Sequence, residues 1–112
     1  MKDSTVYLDD ILEAIDRIGQ YINEMTLKEF DRDNAIQDAV VRRLEIIGEA
    51  VKHLPAAVTK SQPQVPWKQI AGMRDILIHE YAGVSVQTVW KTVTENLEPL
   101  EKAILAIKNL KY

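Results

Sequence analysis

The stretch MRDILIHEYAG, positions 73–83, gathers the side chains of this chain best suited to chemistry. Arg74, Asp75, His79, Glu80 and Tyr81 fall within eight residues, and His79 is one of only two histidines. If the segment is helical, Asp75 and His79 are four apart and stack on adjacent turns, within hydrogen-bonding reach. A carboxylate accepting from one imidazole nitrogen fixes the tautomer and leaves the other nitrogen free for proton transfer. Arg74 and Tyr81, seven apart, take nearly the same angular position two turns on. Arg74 and His79, five apart, diverge by roughly 140° around the helix and lie about 7.5 Å apart along it. Both reach one ligand only if the helix faces a cleft or a second copy of the chain supplies the complementary set.

Arginine binds phosphate oxygens bidentately and is always charged. Histidine moves protons near neutral pH. The pair suits cleavage of a phosphodiester by an internal hydroxyl, with Arg74 neutralising the pentavalent phosphorane and imidazole serving as base and acid. That chemistry needs no metal and no cofactor, and its dependence on a 2′-hydroxyl restricts it to RNA. The residues alone leave a second reading open. An Asp–His pair four apart also occurs on solvated helix faces, with Arg74 then an ordinary surface charge.

Composition narrows the setting. The chain has 112 residues, 46% of them hydrophobic, enough for one domain spanning 1–112 with a real core. It contains no cysteine, which excludes disulfides and thiolate metal sites. No apolar run approaches the ~20 residues of a membrane span, and MKDSTVYLDD lacks the apolar segment of a secretory signal, so a cytoplasmic protein is expected. The net charge of −3 argues against a general nucleic-acid binder, but its distribution is uneven. Residues 1–41 carry −6, residues 42–74 carry +4 and residues 75–112 carry −1. The basic region of Arg42, Arg43, Lys52, Lys60, Lys68 and Arg74 either contacts an anionic partner or forms solvated helix faces.

The elements that must position the cluster follow from periodicity and capping. Leu8, Ile11, Leu12, Ile15, Ile18 and Ile22 form one stripe of a first helix starting near Ser4. TLKE at 26–29 is a capping box opening a short helical turn. Asp33 caps the next helix, with Ile36, Val40, Leu44, Ile47, Val51 and Leu54 inward and Pro55 ending it. Gly48, in mid-helix at a cost of about 1 kcal/mol relative to alanine, implies close approach of another helix, from the bundle or a second subunit. AAVTKSQPQV is expected to be a loop. Pro66 suits the first position of the cluster's helix, which runs through Trp67, Ile70, Met73 or Arg74 and Leu77 to about Tyr81, with Gly83 as terminator. Ser85 caps a last long helix burying Val89, Val93, Leu97, Leu100, Ile104 and Ile107, which Pro99 should kink or divide. His53 is expected to be dipole-stabilised or exposed at a helix end. Trp67 and Trp90 are expected in core or dimer contacts. The architecture predicted is an all-α, up-and-down bundle of four main helices plus a short one.

RDILIHEY resembles the R-x4-H-x-Y signature of HEPN-domain ribonuclease toxins of the HepT-like branch. RRLEIIGEAVKHLP at 42–55, VPWKQIAGMRDILIHEY at 65–81 and TVWKTVTENLEPLEKAI at 88–104 resemble that branch's remaining helices, in order and over nearly the whole chain. The resemblance implies a HEPN-like homodimer whose signature helices face a shared cleft. It implies metal-independent endoribonuclease activity through Arg74 and His79, with Asp75 in the same site, and 2′,3′-cyclic phosphate products. It implies a partner as well, an MNT-type nucleotidyltransferase antitoxin that adds AMP to Tyr81. Adding AMP there sets charge and bulk beside Arg74 and blocks an RNA backbone. The rival is a noncatalytic helical subunit binding a nucleotide or partner within a nucleotidyltransferase complex. A purely structural helical adaptor is the third possibility.

Overall fold

The computed structural model describes residues 4–80 and 85–111, with the side chains at 74–76, 78–80, 110 and 111 outside the described set. The helices are α1 (Ser4–Tyr21), α2 (Leu27–Arg32), α3 (Asn34–Lys52), α4 (Ala56–Lys60), α5 (Trp67–Glu80), α6 (Val86–Lys91) and α7 (Leu97–Lys111). A π-helical turn, Thr92–Asn96, joins α6 to α7. No strand occurs among the described residues. The fold is the expected all-α bundle, with α1, α3, α5 and the α6–α7 rod as its main members. No described helix is long and apolar enough to cross a membrane.

Capping chemistry sets the boundaries. Thr26 Oγ1 accepts from Glu29 N at 3.2 Å while Thr26 N donates to Glu29 Oε1 at 2.9 Å, closing the predicted capping box. Asp33 Oδ1 accepts from Ile36 N at 3.0 Å and starts α3. Ser85 Oγ accepts from Thr88 N at 3.1 Å and starts α6. Pro66 sits one step earlier than expected: its carbonyl accepts from Ile70 N at 3.1 Å, so it precedes the first helical residue, Trp67.

α3 is the central helix. Its buried residues include Val40, Val41, Leu44, Ile47, Gly48 and Ala50, an arc of about 180°. That is wider than the ~100° stripe of a helix with one apolar neighbour, because α3 packs against both α1 and α5. Gly48 is buried within it. α1 runs antiparallel to α3. The Tyr7 ring near its start stacks on His53 just past the end of α3, with centroids 4.8 Å apart. α7 runs antiparallel to α1, and Lys108 pairs with Asp9. The inward stripe of the α6–α7 rod is buried as predicted from Val89 to Ile107.

Three local features differ from expectation. Residues 56–60 form α4 rather than loop, since Val58 docks into the core and the preceding Pro55 leaves the Ala56–Ala57 pair free to turn. α3 itself ends at Lys52, before Pro55. Gln37, overlooked in the stripe of α3, is buried, and its amide donates to the Phe30 carbonyl at 2.8 Å and the Asp31 carbonyl at 3.1 Å. Pro99 divides the last helix, as predicted, in a particular way. Its missing N–H and its ring disturb the turn ending near Glu95, and the widened π turn accommodates both.

α2 is held mainly by Phe30, fully buried and packed on the Trp90 ring at 5.1 Å. Phe30→Ala is expected to cost about 3–5 kcal/mol, against about 1 kcal/mol for Thr26→Ala, by the shift in urea midpoint. Equal costs would contradict this ranking.

Candidate functional site

The predicted cluster lies on α5, so the helix's rotation decides what the cluster can reach. Leu77 is 4% exposed, and Ile70 and Met73 are partly buried against the core on the same stripe. With Leu77 facing inward, helical register places positions 75 and 79 each about 160° away, on the outer face of α5. Lys68, at about 180°, and Gly72, at about 140°, fall on the same outer arc. Position 74 lies about 60° from Leu77, between the buried stripe and the outer face. The helix therefore brings positions 75 and 79 onto one stripe and sets position 74 apart. The side chains of Arg74, Asp75 and His79 lie outside the described residues, as do Tyr81 and Gly83 altogether.

The inner face of α5 borders an apolar cleft of about 530 Å³. Ile70, Met73 and Leu77 line it from α5, Leu44 and Ile47 from α3, and Pro99 from α7. Leu77 stands on the side of α5 opposite positions 75 and 79, so the cleft and the outer stripe occupy different faces. A second groove of about 710 Å³ lies between α1 and α7, bordered by Asp16, Glu98, Glu101 and Lys102, with no α5 residue among its described lining.

The start of α5 is pinned from below. Trp67 is half-buried, and its indole Nε1 donates to the Gln62 carbonyl at 2.9 Å, tying the segment after α4 to the helix. Trp67 N also donates to the Val65 carbonyl at 2.9 Å, and Val65 is buried. Trp67, expected in a core or dimer contact, is partly buried against the core and anchors the helix that carries the cluster.

The basic region separates into paired and unpaired charges. Arg42 pairs with Glu45 at 3.6 Å along α3. Lys60 and Lys68 are exposed and have no ion-pair partner among the described residues. His53 is exposed at the C-cap of α3, where its Nε2 pairs with Glu49 Oε1 at 3.2 Å. That matches the expectation of an exposed helix-end histidine.

Comparison with known proteins adds the family context. The model of the ribonuclease HepT-like family matches residues 11–107. A Thermococcus cleftensis protein named probable ribonuclease HepT is 46% identical over 95 residues, covering 85% of this chain and 86% of its own. A Caldanaerobacter subterraneus protein named putative RNase is 42% identical over 107 residues, covering 96% of each chain. A Methanocaldococcus jannaschii protein named gamma-glutamylcyclotransferase and putative RNase is 42% identical over 118 aligned residues. That match covers 99% of this chain and 53% of the other, so the chain spans about half the length of that relative. No solved structure matches at comparable stringency.

Trp67→Phe keeps one aromatic ring but removes the pyrrole part of the indole, and with it the donor to the Gln62 carbonyl. The expected result is a loss of about 1 kcal/mol, with faster amide exchange confined to the first turn of α5. Unchanged exchange in that turn would show that the indole hydrogen bond does not anchor it.

Proposed function

The chain belongs to the ribonuclease HepT-like family, and from that premise we propose that it is a toxin: a metal-independent endoribonuclease acting through Arg74 and His79. The observation that carries this reading is the rotation of α5. Burial of Leu77 supports it, because helical register then sets positions 75 and 79 opposite the core-facing stripe, the side of α5 a polymeric substrate could approach.

The reaction balances without an added reactant. His79 as free base accepts the 2′-hydroxyl proton, and the 2′-oxygen attacks phosphorus. The bond to the 5′-oxygen breaks, and an imidazolium protonates that leaving oxygen. The products are a 2′,3′-cyclic phosphate and a 5′-hydroxyl. Arg74 stabilises the charge on the phosphorane. Asp75, one turn before His79, orients the imidazole.

A homodimer completes the site in this reading. The angular separation of positions 74 and 79 keeps one α5 from aiming both groups at a single phosphate, and a second α5 across a shared cleft supplies the missing direction. One imidazole serves both steps, because the imidazolium that His79 becomes on taking the 2′-hydroxyl proton is the acid that protonates the leaving oxygen. Regulation follows from Tyr81, seven residues after Arg74. An MNT-type nucleotidyltransferase antitoxin, with both proteins in the cytoplasm, would transfer adenylyl from ATP to the tyrosine oxygen, with pyrophosphate leaving. The added anion then repels an RNA backbone from Arg74.

His79→Ala is expected to lower RNA cleavage in EDTA by roughly 100- to 10,000-fold, with helical content and melting unchanged. Cleavage at the wild-type rate, with contaminating nuclease excluded, would remove His79 from the mechanism. On co-expression with the nucleotidyltransferase, intact mass should rise by whole adenylyl increments, and Tyr81→Phe should stay unmodified. A modified Tyr81→Phe protein would place the acceptor elsewhere.

A further inference from the structure

We infer that the RNA backbone seats against Gly72 on the outer face of α5, with Lys68 holding the adjacent phosphate. Gly72 lies inside α5, where glycine is a poor helix former, and a Cβ built there would meet no heavy atom within 4 Å. Gly48, by contrast, is buried in the central helix. Among the described residues nothing fills the space beside Gly72, so a contact from outside has room there.

The register identifies that contact. Lys68, Gly72 and positions 75 and 79 follow one another at steps of four, three and four residues and share an arc of about 60°. The stripe begins with an exposed cation that has no ion-pair partner among the described residues. It continues through an open notch and ends at the proposed proton-transfer position about 16.5 Å along the axis, a span of a few nucleotides. A lysine beside bare backbone suits a phosphate, and a methyl group in the notch would hold the strand off the helix. The contact rests on the ribonuclease reading for the identity of the polymer.

Gly19 provides an internal control. It lies in α1, and a Cβ there also meets nothing within 4 Å. The test measures melting temperature, and the affinity of a fluorescent single-stranded 2′-O-methyl RNA, which lacks the attacking hydroxyl, at several salt concentrations. Gly72→Ala is expected to raise the melting temperature by about 4 °C while weakening RNA binding roughly tenfold or more. Lys68→Gln should reduce the slope of log affinity against log salt by about 1. Gly19→Ala should stabilise without changing affinity. RNA binding by Gly72→Ala at wild-type affinity overturns the inference. So does weakened binding that accompanies dissociation of a wild-type dimer on light scattering, because the notch then receives a second copy. Wild-type protein that binds RNA through Gly72 but cleaves none in EDTA refutes the nuclease reading and leaves the contact standing. Wild-type protein that binds no RNA removes both.

Discussion

Burial of Leu77, with Ile70 and Met73 beside it, sets the rotation of α5 about its own axis. A helix has one rotational freedom once its axis is packed, and an apolar stripe removes it, because exposing even one leucine costs about 1.5–3 kcal/mol. At 3.6 residues per turn every other position is then assigned. Positions 75 and 79 go outward with Lys68 and Gly72, and position 74 goes to the flank. The functional reading and the proposed seat for the RNA backbone depend on that single constraint, whereas the need for a second α5 follows from the roughly 140° between positions 74 and 79 on any α-helix.

The rest of the bundle makes the constraint effective. α3 offers α5 one side of a broad apolar surface, and α1 occupies the other. Trp67 fixes the near end of α5 through the Gln62 carbonyl. The π turn before Pro99 lets one sequence continue along the core on both sides of the bend, burying Val93, Leu97 and Leu100 in succession. Phe30 fastens the short α2 to α6 by its apolar contact with Trp90, and the Gln37 amide of α3 fastens α2 through the Phe30 and Asp31 carbonyls. These are ordinary packing devices, and together they hold a stripe of polar positions on the outside of a helix whose other side is core.

What the sequence made legible was local. Thr26, Asp33 and Ser85 announced their helices because capping is settled within four residues. The stripes of α1, α3 and the α6–α7 rod were readable because burial follows the helical period. α4 was missed because its proline- and serine-rich flanks look like a loop, and the burial of Val58 is a tertiary fact. Gln37 escaped because a polar residue breaks the apolar pattern, although its amide satisfies two carbonyls. The Tyr7–His53 stack joins residues far apart in sequence and left no trace in it. For the candidate site, the residue types and their spacing were visible, and so was the divergence of Arg74 from His79. The rotation of α5 relative to the core rests on the burial of Leu77, which is a tertiary fact. Gly72 and Lys68 carried a signal that was available: stepping back from His79 by four, three and four residues reaches both.

The central claim is that a guanidinium and an imidazole from two different copies of α5 meet at one phosphate. Mixing Arg74→Ala protein with His79→Ala protein, after subunit exchange, measures this directly through RNA cleavage in EDTA. A composite site predicts that the mixture regains a substantial fraction of wild-type cleavage, since one of its two sites again holds both groups. A mixture that forms mixed dimers yet stays as inactive as either parent would contradict the account.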